Sequence, residues 1–402
     1  MFIARSATTE LPLAALLALA TAAFTDVMTD LLPAGLLPQM SGSLHVPEAR
    51  IGLLVTAFAV TSALSAIPVT AALRSLPRRG VLIAVLIGFA LFDAVTAFSS
   101  SYPLTFAARL LAGVMGGTLW SMLAGYAARM VPAGRRGRAI AIVLAGITLA
   151  LSAGLPAGTA LAARLGWRPA FALLATLALI VAAWIRWKAP GFPGERAGQR
   201  PPLGRIAVRR VAVRPGVPAV LAVTLLLLTG HQELYTYLAP FATRSGPGHT
   251  GLVLLVFGLA TIPGLAVTGL LADRHLRSVL IAALTLVVAA LITLGLTGRD
   301  LGPMLAAAAL WGAAFGGVPA LLQTALISAS GPGYADMATS LQTTVYNIGI
   351  AAGSLVGGLV LQGAGAPALP WAASVLIAAA LAVVSCRRVG QRRGSPELTG
   401  SG

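Results

Sequence analysis

The sequence predicts an all-α membrane protein: twelve transmembrane helices in two pseudo-symmetric six-helix bundles. Three observations carry that prediction. The 402 residues are 57% hydrophobic and only 10% charged, with a mean hydropathy of +0.89, whereas a soluble domain carries about 25% charge. The apolar residues gather into runs of about 20, the length a bilayer-spanning helix needs. The polar pieces between the runs alternate in charge, and short motifs recur in the two halves of the chain.

Taken in order, the runs fall at 11–38, 50–73, 80–99, 103–129, 137–162 and 168–188, then at 216–242, 250–271, 278–297, 301–329, 335–362 and 368–388. Arg5 ahead of an apolar stretch and Ala20-Thr21-Ala22 resemble a cleavable leader, but the apolar run continues past them, so the first run is read as a span. Of the 28 basic residues, 22 fall on one side of the expected bilayer. These are Arg5, three after the second span, four after the fourth, eight between spans 6 and 7, two after the eighth and four at the end of the chain. The other side has five: Arg50, Arg164, Arg168, Arg244 and Arg299. The positive-inside rule then puts both termini in the cytoplasm. The net charge of +17 sits in loops between spans, so nucleic acid is not the expected partner. The lone cysteine, Cys386, permits no disulfide within the chain and no thiolate metal site.

The segment 189–215, rich in Pro, Gly and Arg, divides the chain. Residues 1–188 are expected to form one six-helix bundle, 189–215 a cytoplasmic linker, and 216–402 a second bundle with a short basic tail. An internal repeat supports the division. Arg79-Gly80-Val81-Leu82-Ile83 returns as Arg277-Ser278-Val279-Leu280-Ile281, 198 positions on. Gly116-Gly117 returns as Gly316-Gly317 at 200, and Gly158 as Gly357 at 199. Two parallel halves about a pseudo-two-fold axis place a site between them near mid-membrane.

Five charged side chains interrupt the apolar runs: Asp26, Asp30, Asp93, Arg109 and Glu233. A charge at mid-bilayer is costly unless paired or facing a cavity, and such residues mark ion and substrate pathways. Asp26 and Asp30, four residues apart, share one helix face. Two carboxylates side by side in a low dielectric cannot both ionise cheaply, so one of the pair is expected to hold a proton, the property of a proton carrier. Pro33 and Pro38 make a helix break plausible there, and a capping role for either aspartate is the competing reading. Glu233 lies in span 7, the symmetry mate of span 1, and is expected to face the same cavity. His231 titrates near neutral pH when unperturbed. Asp93 sits near the end of span 3 and reads as structural; a permanent pair with Asp93, or a bond to a backbone carbonyl, is the competing reading for Arg109. Gln232, His231, Tyr235, Tyr237, Trp120, Trp311, Gln323, Gln342, Tyr346 and Asn347 are candidate substrate contacts, each with interhelical hydrogen bonding or packing as its bland alternative. Trp167, Trp184, Trp187 and Trp371 fit an interfacial belt. Glycine pairs such as Gly113 and Gly117 allow close helix approach.

Several stretches resemble the major facilitator superfamily, and within it the twelve-span drug:proton antiporter group of the arabinose-efflux and chloramphenicol-resistance type. Thr29-Asp30-Leu31-Leu32-Pro33-Ala34-Gly35-Leu36-Leu37-Pro38 resembles that group's first-helix signature. Arg109-Leu110-Leu111-Ala112-Gly113 resembles its fourth-helix arginine motif, and Gly154-Leu155-Pro156-Ala157-Gly158 its fifth-helix antiporter motif. Gly166-Trp167-Arg168-Pro169-Ala170-Phe171, the stretch from Tyr235 to Phe241 and the stretch from Tyr346 to Gly349 resemble further patterns. The loop from Leu73 to Arg79 lacks the acid the family carries there, while Asp273-Arg274 keeps it in the second half. Asp26 is additional to the pattern.

The resemblance implies a major facilitator fold in a bacterial inner membrane and a proton-coupled antiporter exporting a drug-, sugar- or nucleoside-like molecule. It further implies proton coupling through Asp30 and Arg109, to which the shared helix face adds Asp26 and the two-half symmetry adds Glu233, and conformational roles are expected for Gly154, Pro156, Gly158, Asp273, Arg274 and Arg277. An uncoupled facilitator or a proton-coupled sugar or nucleoside importer remains open. An enzyme is not expected, since the four histidines lie in separate segments and no nucleophile–base pair stands out. No phosphate-binding loop is found, so a gradient rather than ATP is the expected drive. Neither cofactor nor metal is expected. The expected partners are protons, a small molecule and lipid, with the chain acting as a monomer. An acidic cavity favours neutral or cationic substrates.

Overall fold

The computed structural model describes residues 11–132, 135–194, 211–246, 249–330 and 335–386. Much of the 189–215 linker and the whole basic tail lie outside them, as do the side chains of Asp273 and Arg274. The described residues contain twelve helices long and apolar enough to cross a membrane: spans 1 to 12 at Leu13–Gly35, Glu48–Ala66, Arg78–Phe98, Tyr102–Arg129, Arg138–Leu165, Trp167–Lys188, Val217–Thr236, Thr250–Thr268, His275–Thr297, Leu301–Ser330, Leu341–Ala364 and Ala366–Cys386. Each matches a run read from the sequence. Helix is forced on such runs because hydrocarbon offers the backbone no other hydrogen-bond partner.

Prolines set where the spans deviate. Pro38 and Pro240 cannot donate to the carbonyls four residues back. Span 1 accordingly breaks at Leu36 (φ −117°, ψ 11°) and resumes as a short helix, Leu37–Leu44. Span 7 breaks at Tyr237 (φ −106°, ψ 26°) and resumes as Leu238–Ala242. In span 5, Pro156 leaves the Ser152 carbonyl without its helical donor. The chain absorbs this in a π-helical segment, Ala150–Gly154, where the Leu155 N–H bonds the Ala150 carbonyl, the widened register typical of such bulges. Gly258 of span 8 rests on that segment's backbone.

The internal repeat acquires a physical meaning. Arg79 donates to the carbonyl of Ala189 at the end of span 6 (3.2 Å). Arg277 donates to that of Ser385 at the end of span 12 (2.9 Å). Each half thus uses the arginine that opens its third span to satisfy the last carbonyls of its sixth, a favourable place for a cation on a helix. In the first half the same strap is reinforced by Tyr126 Oη donating to Pro190 O (2.5 Å) and the Arg78 N–H to Phe192 O (3.0 Å).

Spans 2 and 4 meet through Gly113 and Gly117, where an added Cβ would lie 2.3 Å from Phe58 O and 2.2 Å from Ser62 O. Spans 8 and 10 meet identically through Gly312 and Gly316, at 2.2 Å from Phe257 O and 2.4 Å from Thr261 O. All four residues move by the same 199 positions (113 to 312, 117 to 316, 58 to 257, 62 to 261). The pairing of Gly116-Gly117 with Gly316-Gly317 is therefore one residue out of register, and Gly116 corresponds to Phe315.

Among the described residues, the hydrogen bonds and close glycine contacts that cross between the halves lie at mid-depth or towards the face opposite the arginine-rich loops. There Ser354 Oγ of span 11 donates to Gly52 O of span 2 (2.8 Å), while Tyr237 Oη donates to Ser354 O (2.9 Å). Gly52 is required: a Cβ would sit 1.8 Å from the Tyr237 hydroxyl.

Candidate functional site

The first half holds four of the five intramembrane charges in one cluster. At 1.5 Å rise per residue, Asp30 and Asp93 lie about 8 Å from the ends of spans 1 and 3, and Arg109 about 10 Å from the start of span 4. Three helices thereby bring them to one depth. Arg109 and Asp93 are completely buried and Asp26 nearly so. Arg109 Nη2 donates to the backbone carbonyl of Asp30 (3.1 Å), and its guanidinium lies 4.8 Å over the Phe58 ring. Its Nε and Nη1 have no hydrogen-bond partner among the described residues. Asp93, Asp30 and Asp26 all act on it electrostatically, Asp93 most strongly. Thr29 Oγ1 donates to Asp93 Oδ2 (2.7 Å), tying span 1 to span 3. Gly116 makes room for the second aspartate: a Cβ there would lie 2.9 Å from Asp26 Oδ1. One oxygen each of Asp26, Asp30 and Asp93 is buried without a partner. Asp30 is only partly buried, and Tyr346 of span 11 is within electrostatic reach of it.

The structure brings Asp26, Asp30 and Arg109 together and includes Asp93, which the sequence offered only as a structural partner for Arg109; the carbonyl that Arg109 does bond is that of Asp30. The depth count above was the available signal. Glu233 does not join this cluster. It is fully buried in span 7, neither carboxylate oxygen has a hydrogen-bond partner, and no charged group acts on it.

The second half builds a different site from the same scaffold. Phe257, Trp311 and Phe315 stand at the positions of Phe58, Ala112 and Gly116. Where Gly116 admits a carboxylate, Phe315 stacks on His231, with ring centroids 3.7 Å apart and planes at 9°. Trp311 meets His231 edge-on at 5.1 Å, Tyr235 stacks on it at 5.2 Å, and Phe257 closes the group at 5.8 Å. The aromatic group is buried, yet His231 Nδ1, Tyr235 Oη and Trp311 Nε1 have no partner. Phe257 and Phe315 escaped the sequence reading because a phenylalanine in an apolar run reads as packing.

Of the other candidates, Gln232 Nε2 donates to Thr236 Oγ1 (3.0 Å) and Asn347 Nδ2 to Thr343 O (3.0 Å). Gln342 is buried with Oε1 unpartnered, and Gln323 is exposed. Tyr237 belongs to the contact between the halves, and Trp120 packs on the first-half core. Gly154 and Pro156 lie in and beside the π segment, Gly158 faces Leu32 of span 1, and Arg277 caps span 12. Trp187 and Trp371 are exposed at span ends, as an interfacial belt requires. Trp167 is instead buried, donating to Ser43 Oγ (2.6 Å) with Arg168 over its ring.

The arrangement offers a carboxylate-rich cluster around one fixed cation in one half and an aromatic, uncharged group in the other. Known proteins match the chain. A probable sugar efflux transporter of Mannheimia succiniciproducens is 28% identical over 366 residues, 89% of each chain. The crystal structure of the human organic anion transporter MFSD10 (TETRAN) superposes with a TM-score of 0.68 at 21% identity, covering 93% of this chain and 98% of that one. The family description "Major Facilitator Superfamily" matches residues 19–248 and 242–400. The chain is a multi-pass membrane transporter that belongs to the Major Facilitator Superfamily.

Proposed function

We propose that the protein exports a sugar-like molecule across a bacterial inner membrane by proton-coupled antiport, with the arginine-rich face in the cytoplasm and the chain acting as a monomer. The observation that carries the coupling is the cluster itself: three carboxylates lie within electrostatic reach of one buried guanidinium that bonds the Asp30 backbone carbonyl, more acid than one cation needs. A surplus carboxylate beside a fixed cation takes up or gives up a proton at low cost, because the cation offsets the charge that remains. Asp30, partly exposed, is the carrier, and Asp26 shares its load. Glu233, buried without partners, is a second protonatable group on the other half, tolerated there as the neutral acid.

The similarity to a probable sugar efflux transporter supports a sugar-like cargo. Contacts between the halves away from the arginine-rich face support a state open to the cytoplasm. The protein reconstituted in liposomes, with an imposed pH gradient and a panel of radiolabelled pentoses and hexoses, tests the reading. Gradient-driven accumulation of one sugar, lost in Asp30→Asn, is expected. Counterflow of that sugar with no response to the gradient is the behaviour of an uncoupled facilitator and refutes coupling.

A further inference from the structure

Three carboxylates act electrostatically on Arg109, and the structure treats them unequally. Asp26 and Asp30 lie on span 1, the helix that breaks at Leu36. Asp93 lies on span 3, inside the first-half bundle, and is completely buried. Its Oδ2 is held by the Thr29 hydroxyl at 2.7 Å, which fixes its side chain against span 1. Asp30 is held only through its backbone: Arg109 takes its carbonyl at 3.1 Å, while its own Oδ1 accepts nothing. Residues 29 and 30 of span 1 are thus clamped from two sides, by the Asp93 carboxylate and by the Arg109 guanidinium. A completely buried guanidinium needs a permanent counter-charge, since an unpaired buried cation is strongly destabilising.

We propose that Asp93 is a positioning residue for proton coupling: held by Thr29, it supplies the standing counter-charge to Arg109 and so leaves the Asp30 carboxylate free to exchange the proton. This rests on the coupling reading above. It gives span 3 a part in coupling beside the spans that carry Asp30 and Arg109. It also explains why a threonine stands immediately before Asp30. The groups acting on Asp93 or acted on by it are Thr29 and Asp26 from span 1 and Arg109 from span 4; Asp30 meets it through Arg109, with Tyr346 of span 11 beyond Asp30.

The test is proton uptake by the purified full-length protein. A pH-indicator dye reports it in weakly buffered detergent solution after small acid additions, so no substrate is needed. Wild type is expected to show a titrating step that Asp30→Asn removes. In Asp93→Asn the step is expected to persist with its midpoint about one to two pH units more acid, because Asp30 and Asp26 then keep Arg109 to themselves and Asp26 loses a negative neighbour. Asp93→Glu is expected to return the midpoint towards wild type. Thr29→Val, which keeps the charge but unfastens it, is expected to raise the number of protons bound per molecule, as Asp93 joins the titration.

A purely structural Asp93 predicts an unmoved midpoint in every folded variant, and that result overturns the proposal. Loss of the step in Asp93→Asn, matching Asp30→Asn, overturns it too, by making Asp93 the carrier. If Asp93→Asn does not fold, Thr29→Val and Asp93→Glu decide alone: unchanged stoichiometry in the first refutes the assignment. A wild type with no titrating step refutes the coupling reading itself. A wild-type step with an unmoved Asp93→Asn midpoint refutes only the role of Asp93.

Discussion

Replacing Gly52 with alanine is expected to loosen the contact between the halves. The added methyl would sit 1.8 Å from the Tyr237 hydroxyl oxygen, 2.4 Å from Cζ and 2.8 Å from Cε1. The ring cannot swing aside, because it is fully buried and its far side already lies against Gly357 and Gly358, at 2.7 Å from each of their added Cβ positions. Overpacking of this kind costs about 1–3 kcal/mol. Gly52 is in span 2 and Tyr237 follows span 7, so the cost falls only on the arrangement in which the two halves touch here. The equilibrium is therefore expected to move towards separation at this end by about 5- to 150-fold, since each 1.4 kcal/mol is tenfold. Spin labels at Arg50→Cys and Ala364→Cys, both exposed positions, in a Cys386→Ser background, report the separation by pulsed electron resonance. A longer-distance population that grows at least fivefold is the expected result. An unchanged distance distribution in a folded Gly52→Ala protein refutes the reasoning, since the clash must then be relieved without parting the halves.

Other consequences follow from the same geometry. Ser354→Ala removes the hydrogen bond to Gly52 O and is expected to shift the same distance distribution in the same direction, by about 0.5–1.5 kcal/mol, hence less than Gly52→Ala. Gly113→Leu and Gly312→Leu are expected to be equally damaging, because each forces a side chain onto a backbone carbonyl at the same place in its half; the yield of monodisperse protein in size-exclusion chromatography checks this, and a harmless Gly312→Leu contradicts the 199-residue register. Phe315→Ala opens a hole beside His231 and is expected to cost about 3–5 kcal/mol of stability, read as a lower midpoint in thermal unfolding.

The twelve spans were legible because a bilayer fixes both length and composition, leaving the sequence little freedom to hide them. The Asp30 and Arg109 cluster was legible for a related reason: a charge in hydrocarbon stands out, and both residues lie in recognisable surroundings. Asp93 stood out equally as a charge, but its partner did not, since a threonine donor on another helix leaves no trace in the sequence of span 3. Glu233 was expected opposite Asp30 on symmetry alone. The structure buries it in span 7 away from that cluster, both carboxylate oxygens without a hydrogen-bond partner among the described residues, because helical phase, not span number, decides which way a side chain points. The glycine repeat slipped by one residue since neighbouring glycines are interchangeable until their seats, Phe58 and Phe257, are known. Trp167 was read as an interfacial anchor from its place at a span end, whereas its indole N–H turns inward to Ser43.

The paired arginine caps have a mechanical consequence. Arg79 and Arg277 each fasten the end of a half's last helix to the start of its third, and in the first half Tyr126 and the Arg78 N–H fasten the chain just beyond. A pull along the chain leaving span 6 is therefore taken up at the membrane surface, at the loop that opens span 3. It does not travel down span 6 as a lever. The buried charges some helical turns away are thereby set apart from that pull, and tilting of one half against the other is governed by the faces that touch.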